Sequence, residues 1–180
     1  MLDPIDGTKA FITGIPIYGT LISLARHGTP IVGVIDHPIT NDRWSGAKGL
    51  PSTLNGQRIR SPQCGSLAEA LLSCSNPEPF GPREREAFET LREATKWCVY
   101  GSSCYAYGCI ASGTIDIGID CGRHREVDYC ALVPVIEGAA AHHPLRKSPG
   151  RLRKSSSTRG SSAHSCGRIR ALAGSYCLAH

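Results

Sequence analysis

The hexapeptide of residues 3–8 decides how the rest of the chain is interpreted, and it reads Asp3-Pro4-Ile5-Asp6-Gly7-Thr8. Two carboxylates three residues apart, with a backbone carbonyl between them, can face one point while the amides that follow face another. The first point suits a hard divalent cation, which prefers oxygen ligands, and the second suits a phosphate. The hexapeptide therefore predicts a metal-dependent phosphate site. An Asx turn followed by a helix cap uses the same residue types and stays open as the alternative.

A short helix is predicted directly after the hexapeptide. Residues 9–12 contain no helix breaker before Gly14, so Thr8 falls in the first turn and the positive end of the helix points at the phosphate site. Two apolar runs rich in β-forming residues follow at 18–25 and 31–36. They predict a hairpin.

The rest of the chain mixes predicted helices and strands. Ser66 and Glu69 have the spacing of a capping box for a helix over residues 67–72, and Pro82 begins an amphipathic helix that runs to about Thr95. The other predicted elements are a loop over 45–65 with a short strand at 57–59, strands at 97–100 and 115–119, and helices at 104–111 and 129–136, the last kinked at Pro134 and ended by Gly138. This mixture predicts a layered α/β fold.

The segment from Leu2 to Leu24 closely resembles the signature segment of the inositol monophosphatase family of magnesium-dependent phosphatases, through Phe11, Gly14, Pro16, Tyr18 and residues 19–24. Within that family it looks most like the bacterial histidinol-phosphate phosphatase branch. Further segments follow in the family's order, at residues 31–38, 43–44, 53–56, 100–101, 104–108 and 128–138. The resemblance covers residues 2 to about 140, and it implies a fragment of the αβαβα sandwich of the sugar phosphatases.

The resemblance also implies a metal site. Asp3, the Ile5 carbonyl, Asp6 and Asp128 match the family's metal ligands, and Mg²⁺ is the implied cofactor. On residue type alone, Asp128 is more simply a helix cap. Asp6 and Thr8 are the predicted catalytic residues, because Thr8 matches the position that orients the attacking water.

Substrate contacts are implied at two further places. Gly7 and Thr8 match the phosphate-binding amides, and Ser102 and Ser103 lie in the loop that contacts the non-phosphate part of the substrate in the family. The histidinol-phosphate branch usually carries an acid where Ser103 stands. Asp120 matches a family acid that contacts substrate, although a strand-end carboxylate is equally well a solvated surface charge.

Three departures from the family pattern stand out. The segment between Gly122 and Asp128 is one residue longer than the family spacing. The family's Glu-Glu ligand segment should precede the first strand, yet the chain starts at Met1 beside that strand, so we expect a truncated site. After Ala139 an expected apolar strand is replaced by a basic sequence, which we interpret as a change of reading frame.

Charge separates two regions, a partial phosphatase-like domain at residues 1–140 and a tail at 141–180. Every one of the 15 Asp and Glu residues lies at or before Glu137, while the tail is basic and rich in Ser, Gly and Arg. We expect the tail to be disordered. Its positive charge gives an alternative function, in which a catalytically inactive fragment binds polyanions without sequence preference. Few aromatic residues are present for stacking on bases, so nucleic acid is not the expected partner.

Other classes of protein are disfavoured by composition. The chain has no run of about 18 apolar residues and no signal-peptide pattern, and its nine cysteines include no C-x-x-C pair. We therefore expect a cytoplasmic enzyme without a membrane span, and the resemblance implies a homodimer. The predicted activity is Mg²⁺-dependent hydrolysis of a small polar phosphate ester, either histidinol phosphate or inositol monophosphate.

Overall fold

Residues 2–58 form a six-stranded antiparallel sheet, and the computed structural model describes residues 1–120, 125–140 and 170–173. The strands follow one another in sequence order across the sheet, as a meander. They are β1 (Leu2–Asp6), β2 (Gly19–Arg26), β3 (Thr29–His37), β4 (Asp42–Ala47), β5 (Thr53–Leu54) and β6 (Gln57–Arg58). The predicted hairpin is confirmed as β2 and β3, and the predicted strand at 57–59 is confirmed as β6.

Helix α1 (Thr8–Thr13) lies between β1 and β2. Gly7 precedes it with a φ of 84° and Gly14 follows it with a φ of 75°. Both residues are left-handed, a conformation that glycine adopts without a steric cost from Cβ. The predicted helix that begins at Thr8 and ends at Gly14 is confirmed.

The second sheet has the order β10-β9-β7-β8. Its strands are β7 (Leu71–Cys74), β8 (Trp97–Tyr100), β9 (Ile117–Asp120) and β10 (Arg170–Ala173). Strand β7 pairs in parallel with both β8 and β9. Because these three strands are parallel, their carboxyl ends share one edge of the sheet. The predicted strands at 97–100 and 115–119 are confirmed.

The helices lie on and between the two sheets. Helix α2 (Pro82–Ala94) packs on β8, whereas α3 (Ser103–Ser112) and α5 (Leu132–Ala140) pack together, α5 against β3 and β4 and α3 against β9. The order is therefore sheet, helices, sheet, helix, which is part of the predicted αβαβα sandwich and confirms the α/β fold class. One apolar core lies between the first sheet and helices α3 and α5, and contains Leu21, Ile35, Trp44, Tyr107, Ile110, Leu132 and Val135.

The predicted helix over residues 67–72 is wrong. A single 3-10 turn spans Leu67–Glu69, and Leu71 already belongs to β7. Ser66 makes no capping hydrogen bond with its side chain. The local capping signal is overridden because β7 is a central strand, paired on both sides and buried over most of its length.

The predicted helix over residues 129–136 is also wrong in its bounds. The structure has a short helix α4 (Glu126–Tyr129) and then α5, which continues past Gly138. Pro134 is the third residue of α5. Backbone N–H groups in the first turn have no partner inside the helix, so the N–H that proline lacks is not needed there. Gly138 lies inside α5, where the helix packs closely on the chain near Leu50. A Cβ at this position would stand only 2.7 Å from the Leu50 carbonyl oxygen, so the contact requires glycine.

The predicted tail is described at four residues only. Arg170–Ala173 form β10, which pairs antiparallel with β9 from Ile117 to Asp120. The edge of β9 offers a pairing that the tail sequence does not signal. The predicted disorder of the tail stays a prediction. The remaining tail, with its proposed polyanion binding, lies outside the described residues.

Membrane spans and the state of the cysteines can be examined over the described residues. Within the described ranges, no helix is both long enough and apolar enough to cross a lipid bilayer. Cysteines 64, 98, 104 and 109 are thiols and not half-cystines.

The outer face of the first sheet exposes several apolar side chains, namely Leu2, Ile22, Leu24 and Val32.

A buried histidine makes the stability of this fold dependent on pH. The His37 side chain is 1% exposed, and its Nε2 has no hydrogen-bond partner among the described residues. Burial lowers the pKa of His37, and nearby Asp42 and Asp36 offset the decrease only in part. Since the folded chain disfavours the protonated ring, His37 stabilises the fold fully above the unfolded pKa of about 6.5 and loses that contribution as pH falls.

We therefore expect His37→Phe to flatten the pH dependence of unfolding. Phenylalanine keeps an aromatic ring against Tyr105, whose ring centroid lies 4.6 Å from that of His37. Urea unfolding at about pH 7.5 and about pH 5.5 should show a smaller loss of stability in the variant than in the wild type. An equal loss in both chains would contradict the assignment, because the other titrating groups are common to both.

Candidate active site

The hexapeptide of residues 3–8 forms the end of β1 and the turn into α1. The pairing of β1 with β2 shifts register between Asp3 and Asp6, which is the irregularity of a β-bulge. The Ile5 amide donates a hydrogen bond to Oδ1 of Asp3 at 3.1 Å. The Thr8 hydroxyl donates to the Ile5 carbonyl at 3.0 Å. The turn is thus fixed by its own polar side chains, with the Asp6 and Thr8 side chains near its tip.

Asp6 is joined to the amino-terminal end of α3. Its Oδ2 accepts a hydrogen bond of 2.7 Å from the backbone amide of Cys104. Burial raises the pKa of Asp6, the Cys104 thiol and amide lower it, and the charges of Asp3 and Asp128 raise it further. The Cys104 side chain is 3% exposed. Residues 98 positions apart therefore meet at one carboxylate.

Asp128 arrives from the far end of the described chain. It lies in the first turn of α4, where its Oδ2 accepts a hydrogen bond of 2.6 Å from the Arg125 amide. Helix α4 packs against β1 and β2. Burial raises the pKa of Asp3, and the neighbouring Asp128 carboxyl raises it again through charge and hydrogen bonding. The structure thus brings Asp3 and Asp128 side by side.

The donor set of these carboxylates fits Mg²⁺ in kind. Asp3, Asp6 and Asp128 offer hard anionic oxygens, their charges repel one another, and a divalent cation would relieve that repulsion. Over residues 1–120, 125–140 and 170–173, however, no three His, Cys, Asp or Glu side chains lie close enough together to hold an ion. Asp3 and Asp128 form the near pair, while Asp6 is bound to Cys104. The site with three carboxylates and the Ile5 carbonyl stays a prediction.

The predicted substrate loop lies beside the hexapeptide. Gly101 and Ser103 have φ values of 75° and 45°, so the chain enters α3 through two left-handed residues. A left-handed serine costs energy and is concentrated at functional sites. A Cβ on Gly7 would stand 3.1 Å from the Ser103 Oγ. Ser103 and Gly7 are therefore neighbours. Ser102 precedes Ser103 at the N-cap position of α3, where its side chain makes no capping hydrogen bond.

Asp120 ends strand β9 and is surrounded by hydrogen-bond donors. Its Oδ1 accepts from the Ser75 amide at 2.9 Å, and its Oδ2 accepts from the Ser75 hydroxyl at 3.0 Å and the Tyr107 hydroxyl at 2.7 Å. Asp120 is thus not the solvated surface charge of the alternative interpretation. Its predicted contact with substrate stays a prediction.

Sequence reasoning did not assign a role to Cys104, Tyr107 or Ser75. Cys104 acts on Asp6 partly through its backbone amide, which every residue except proline carries, so its residue type gives little signal. Tyr107 and Ser75 reach Asp120 across 13 and 45 residues of sequence. Only the position of Tyr107 one helical turn after Cys104 could have suggested that both face the same edge.

Known proteins resemble this chain over most of its length. The sequence profile of the inositol monophosphatase family matches residues 1–171. The match extends beyond the predicted limit of about residue 140 and includes the first two residues of β10. Three relatives illustrate the similarity, two from sequence and one from structure.

The bifunctional phosphatase IMPL2 of Arabidopsis thaliana, named as chloroplastic, is 47% identical over 139 residues, which are 77% of this chain and 40% of that protein. A histidinol-phosphatase of Mycobacterium tuberculosis is 37% identical over 128 residues, covering 67% of this chain and 48% of its own length. An inositol monophosphatase from Zymomonas mobilis superposes with a TM-score of 0.74 at 38% identity, over 82% of this chain and 60% of that one.

These identities show that the chain is related to the three proteins, and the coverages show how much of each protein it matches. The chain spans about half the length of the relatives that it matches. What they share with it includes the hexapeptide turn, the first sheet and helix α3, since the family match runs through all of them. The chain belongs to the inositol monophosphatase family.

Proposed function

We propose that this chain carries the phosphate-binding half of a Mg²⁺-dependent phosphomonoesterase. The observation that supports the proposal best is the pairing of Asp3 with Asp128, from β1 and α4, beside an Asp6 that is hydrogen-bonded to the amino-terminal end of α3. The reaction adds water across the ester P–O bond and releases an alcohol and inorganic phosphate. When bound by Asp3, Asp6, Asp128 and the Ile5 carbonyl, Mg²⁺ would neutralise the phosphate and lower the pKa of a water.

Thr8 is suited to orient the attacking water. Its hydroxyl proton is donated to the Ile5 carbonyl at 3.0 Å, so only the acceptor capacity of the oxygen remains. A water that donates to Thr8 Oγ1 would have its own lone pair turned away from Thr8, toward a phosphorus atom on the other side. Asp6 and Thr8 are therefore the proposed catalytic residues.

The proposed substrate is a small polar phosphate ester, with histidinol phosphate first and inositol monophosphate second. The Mycobacterium tuberculosis relative is named for histidinol phosphate, and the Zymomonas mobilis structure is named for inositol monophosphate. The amides of Gly7 and Thr8 would face the phosphate, and Ser102, Ser103 and Asp120 would face the remainder of the ester. The proposed location is cytoplasmic, and a homodimer is the proposed assembly.

Release of inorganic phosphate from the two esters tests the substrate assignment. We expect kcat/KM for histidinol phosphate to exceed that for inositol monophosphate, because an ammonium group would donate a stronger, charge-assisted hydrogen bond to the Asp120 carboxylate than a hydroxyl group would. The assay uses the full chain with Mg²⁺ in excess. Equal values for both esters, or a preference for inositol monophosphate, would contradict the proposed order of substrates.

A further inference from the structure

Asp120 is held from two directions at the carboxyl edge of the second sheet. Ser75, the first residue after β7, donates both its amide and its hydroxyl to the Asp120 carboxylate, at 2.9 and 3.0 Å. Tyr107 of α3 donates its hydroxyl at 2.7 Å. A carboxylate has about four acceptor positions, and the described residues before and after the gap at 121–124 fill three of them, which leaves one for a ligand. The orientation of that last position is set by Ser75 and Tyr107.

The Tyr107 ring is packed in the core beside Gly118 of β9. The side chain is 7% exposed and belongs to the core between the first sheet and α3. Strand β9 has Gly118 beneath the ring, where a Cβ would stand 3.0 Å from Cε1 of Tyr107. Burial and the adjacent Asp120 charge hold the pKa of Tyr107 well above its usual value, so its hydroxyl stays protonated as a donor.

The same helix connects this group to the hexapeptide turn. Tyr107 lies three residues after Cys104, whose amide binds Asp6 at 2.7 Å. Ser75 is tied to the start of this helix as well, because its carbonyl accepts a hydrogen bond of 3.2 Å from the Gly101 amide. Asp6 and Asp120 therefore both accept hydrogen bonds from α3. Asp6 is bound at the amino-terminal end of the helix, and Asp120 is bound one turn further along.

We propose that Tyr107 and Ser75 are positioning residues, which hold Asp120 so that its remaining acceptor position faces the non-phosphate part of the substrate. The inference rests on the proposed function, since it takes Asp120 as a substrate contact. The ligand group that Asp120 would accept from is a hydroxyl or an ammonium of the ester. Inorganic phosphate has no organic part that could reach Asp120. Substitution of Tyr107 or Ser75 should therefore weaken the binding of the ester and not the binding of inorganic phosphate.

Two substitutions that each remove a single hydroxyl group test the proposal. Tyr107→Phe and Ser75→Ala should each raise KM for histidinol phosphate about tenfold, because one hydrogen bond that orients a charged carboxylate is lost. The inhibition constant of inorganic phosphate should change less than about twofold. Ser75→Thr keeps a hydroxyl and should restore the wild-type KM.

Tyr105→Phe is the matched control on the same helix. The Tyr105 hydroxyl also donates to an aspartate, Asp42, at 3.0 Å, but Asp42 begins β4 of the first sheet whereas Asp120 ends β9 of the second. This variant should keep the wild-type KM and phosphate inhibition. Urea unfolding of all variants shows whether each one is folded before its kinetics are compared.

Each contrary outcome has a separate meaning. If Tyr107→Phe and Ser75→Ala both keep the wild-type KM, or if they weaken ester and phosphate equally, the positioning role is overturned. A wild-type KM in Asp120→Asn overturns the inference and leaves the proposed phosphatase intact. A wild-type chain that neither hydrolyses the ester nor binds it in calorimetry overturns both.

Discussion

Asp6→Asn is expected to lower kcat/KM for phosphate ester hydrolysis by about 100-fold or more, because it removes a half-buried negative charge at the proposed metal-phosphate site. Asparagine has almost the same shape, and its carbonyl oxygen can still accept the hydrogen bond from the Cys104 amide. The loss should therefore come from the missing charge and not from unfolding. Steady-state release of inorganic phosphate at saturating Mg²⁺ measures it.

Asp116→Asn is the matched control for this substitution. Its Oδ2 also accepts a backbone hydrogen bond, from the Leu71 amide at 2.8 Å, yet it lies at the other end of the second sheet from Asp120. This variant should keep kcat/KM within about twofold of the wild type. Wild-type turnover by Asp6→Asn, or equal losses in both variants, would remove Asp6 from the proposed catalytic group.

Trp44→Ala should reduce the free energy of unfolding by about 3–5 kcal/mol, the usual cost of emptying a buried tryptophan site. The Trp44 side chain is 2% exposed and lies against α3, where a Cβ on Gly108 would stand 2.6 Å from Cδ2 of Trp44. Its Nε1 donates a hydrogen bond of 2.8 Å to the Ser112 hydroxyl. The substitution therefore leaves a cavity between the first sheet and α3, and an unpaired hydroxyl beside it.

Trp97→Ala provides the matched control, since Trp97 is the other tryptophan of the chain and is 54% exposed. Its contact with the Lys96 ammonium, at 4.9 Å from the ring centroid, is a surface interaction. Its removal should cost less than about 1 kcal/mol. Urea unfolding followed by circular dichroism compares the two variants. Similar losses in both would contradict the placement of Trp44 in the core.

The parts of the fold that the sequence predicted well are those that local chemistry determines. Gly7 and Gly14 bound α1 because both ends of the helix need a left-handed residue, and β2 and β3 alternate in burial over a short connection. The second half of strand β4 falls in the loop that the sequence predicts from residue 45, because Ser45 and Gly46 are weak strand formers. It forms since its backbone pairs with β3 along its whole length.

The same division applies to the candidate site. Asp3, Asp6 and Asp128 were identified through the family resemblance, and the structure brings Asp3 and Asp128 together from positions 125 residues apart. Spacing alone could not show that Asp6 would be shared with α3, nor that Asp120 would be surrounded by Ser75 and Tyr107. Those contacts depend on the parallel order of β7, β8 and β9, which no local pattern encodes.

Helix α5 shows why single-residue signals failed near the end of the described chain. Pro134 and Gly138 usually interrupt a helix. In α5 the proline lies in the first turn, and the glycine lets the helix approach Leu50 and Ser52. Gly46 on β4 allows a similarly close approach, since a Cβ there would lie 2.5 Å from the Val135 Cα. Close packing on the first sheet explains both exceptions.

The most direct test of the proposed activity is the release of inorganic phosphate from histidinol phosphate by the full chain as Mg²⁺ is added and then chelated. We expect release to rise with Mg²⁺ to a plateau, to stop on addition of excess EDTA, and to return when Mg²⁺ is restored. Release that is unaffected by EDTA, or no release at any Mg²⁺ concentration, would contradict the assignment of Asp3, Asp6 and Asp128 to a metal-dependent phosphate site.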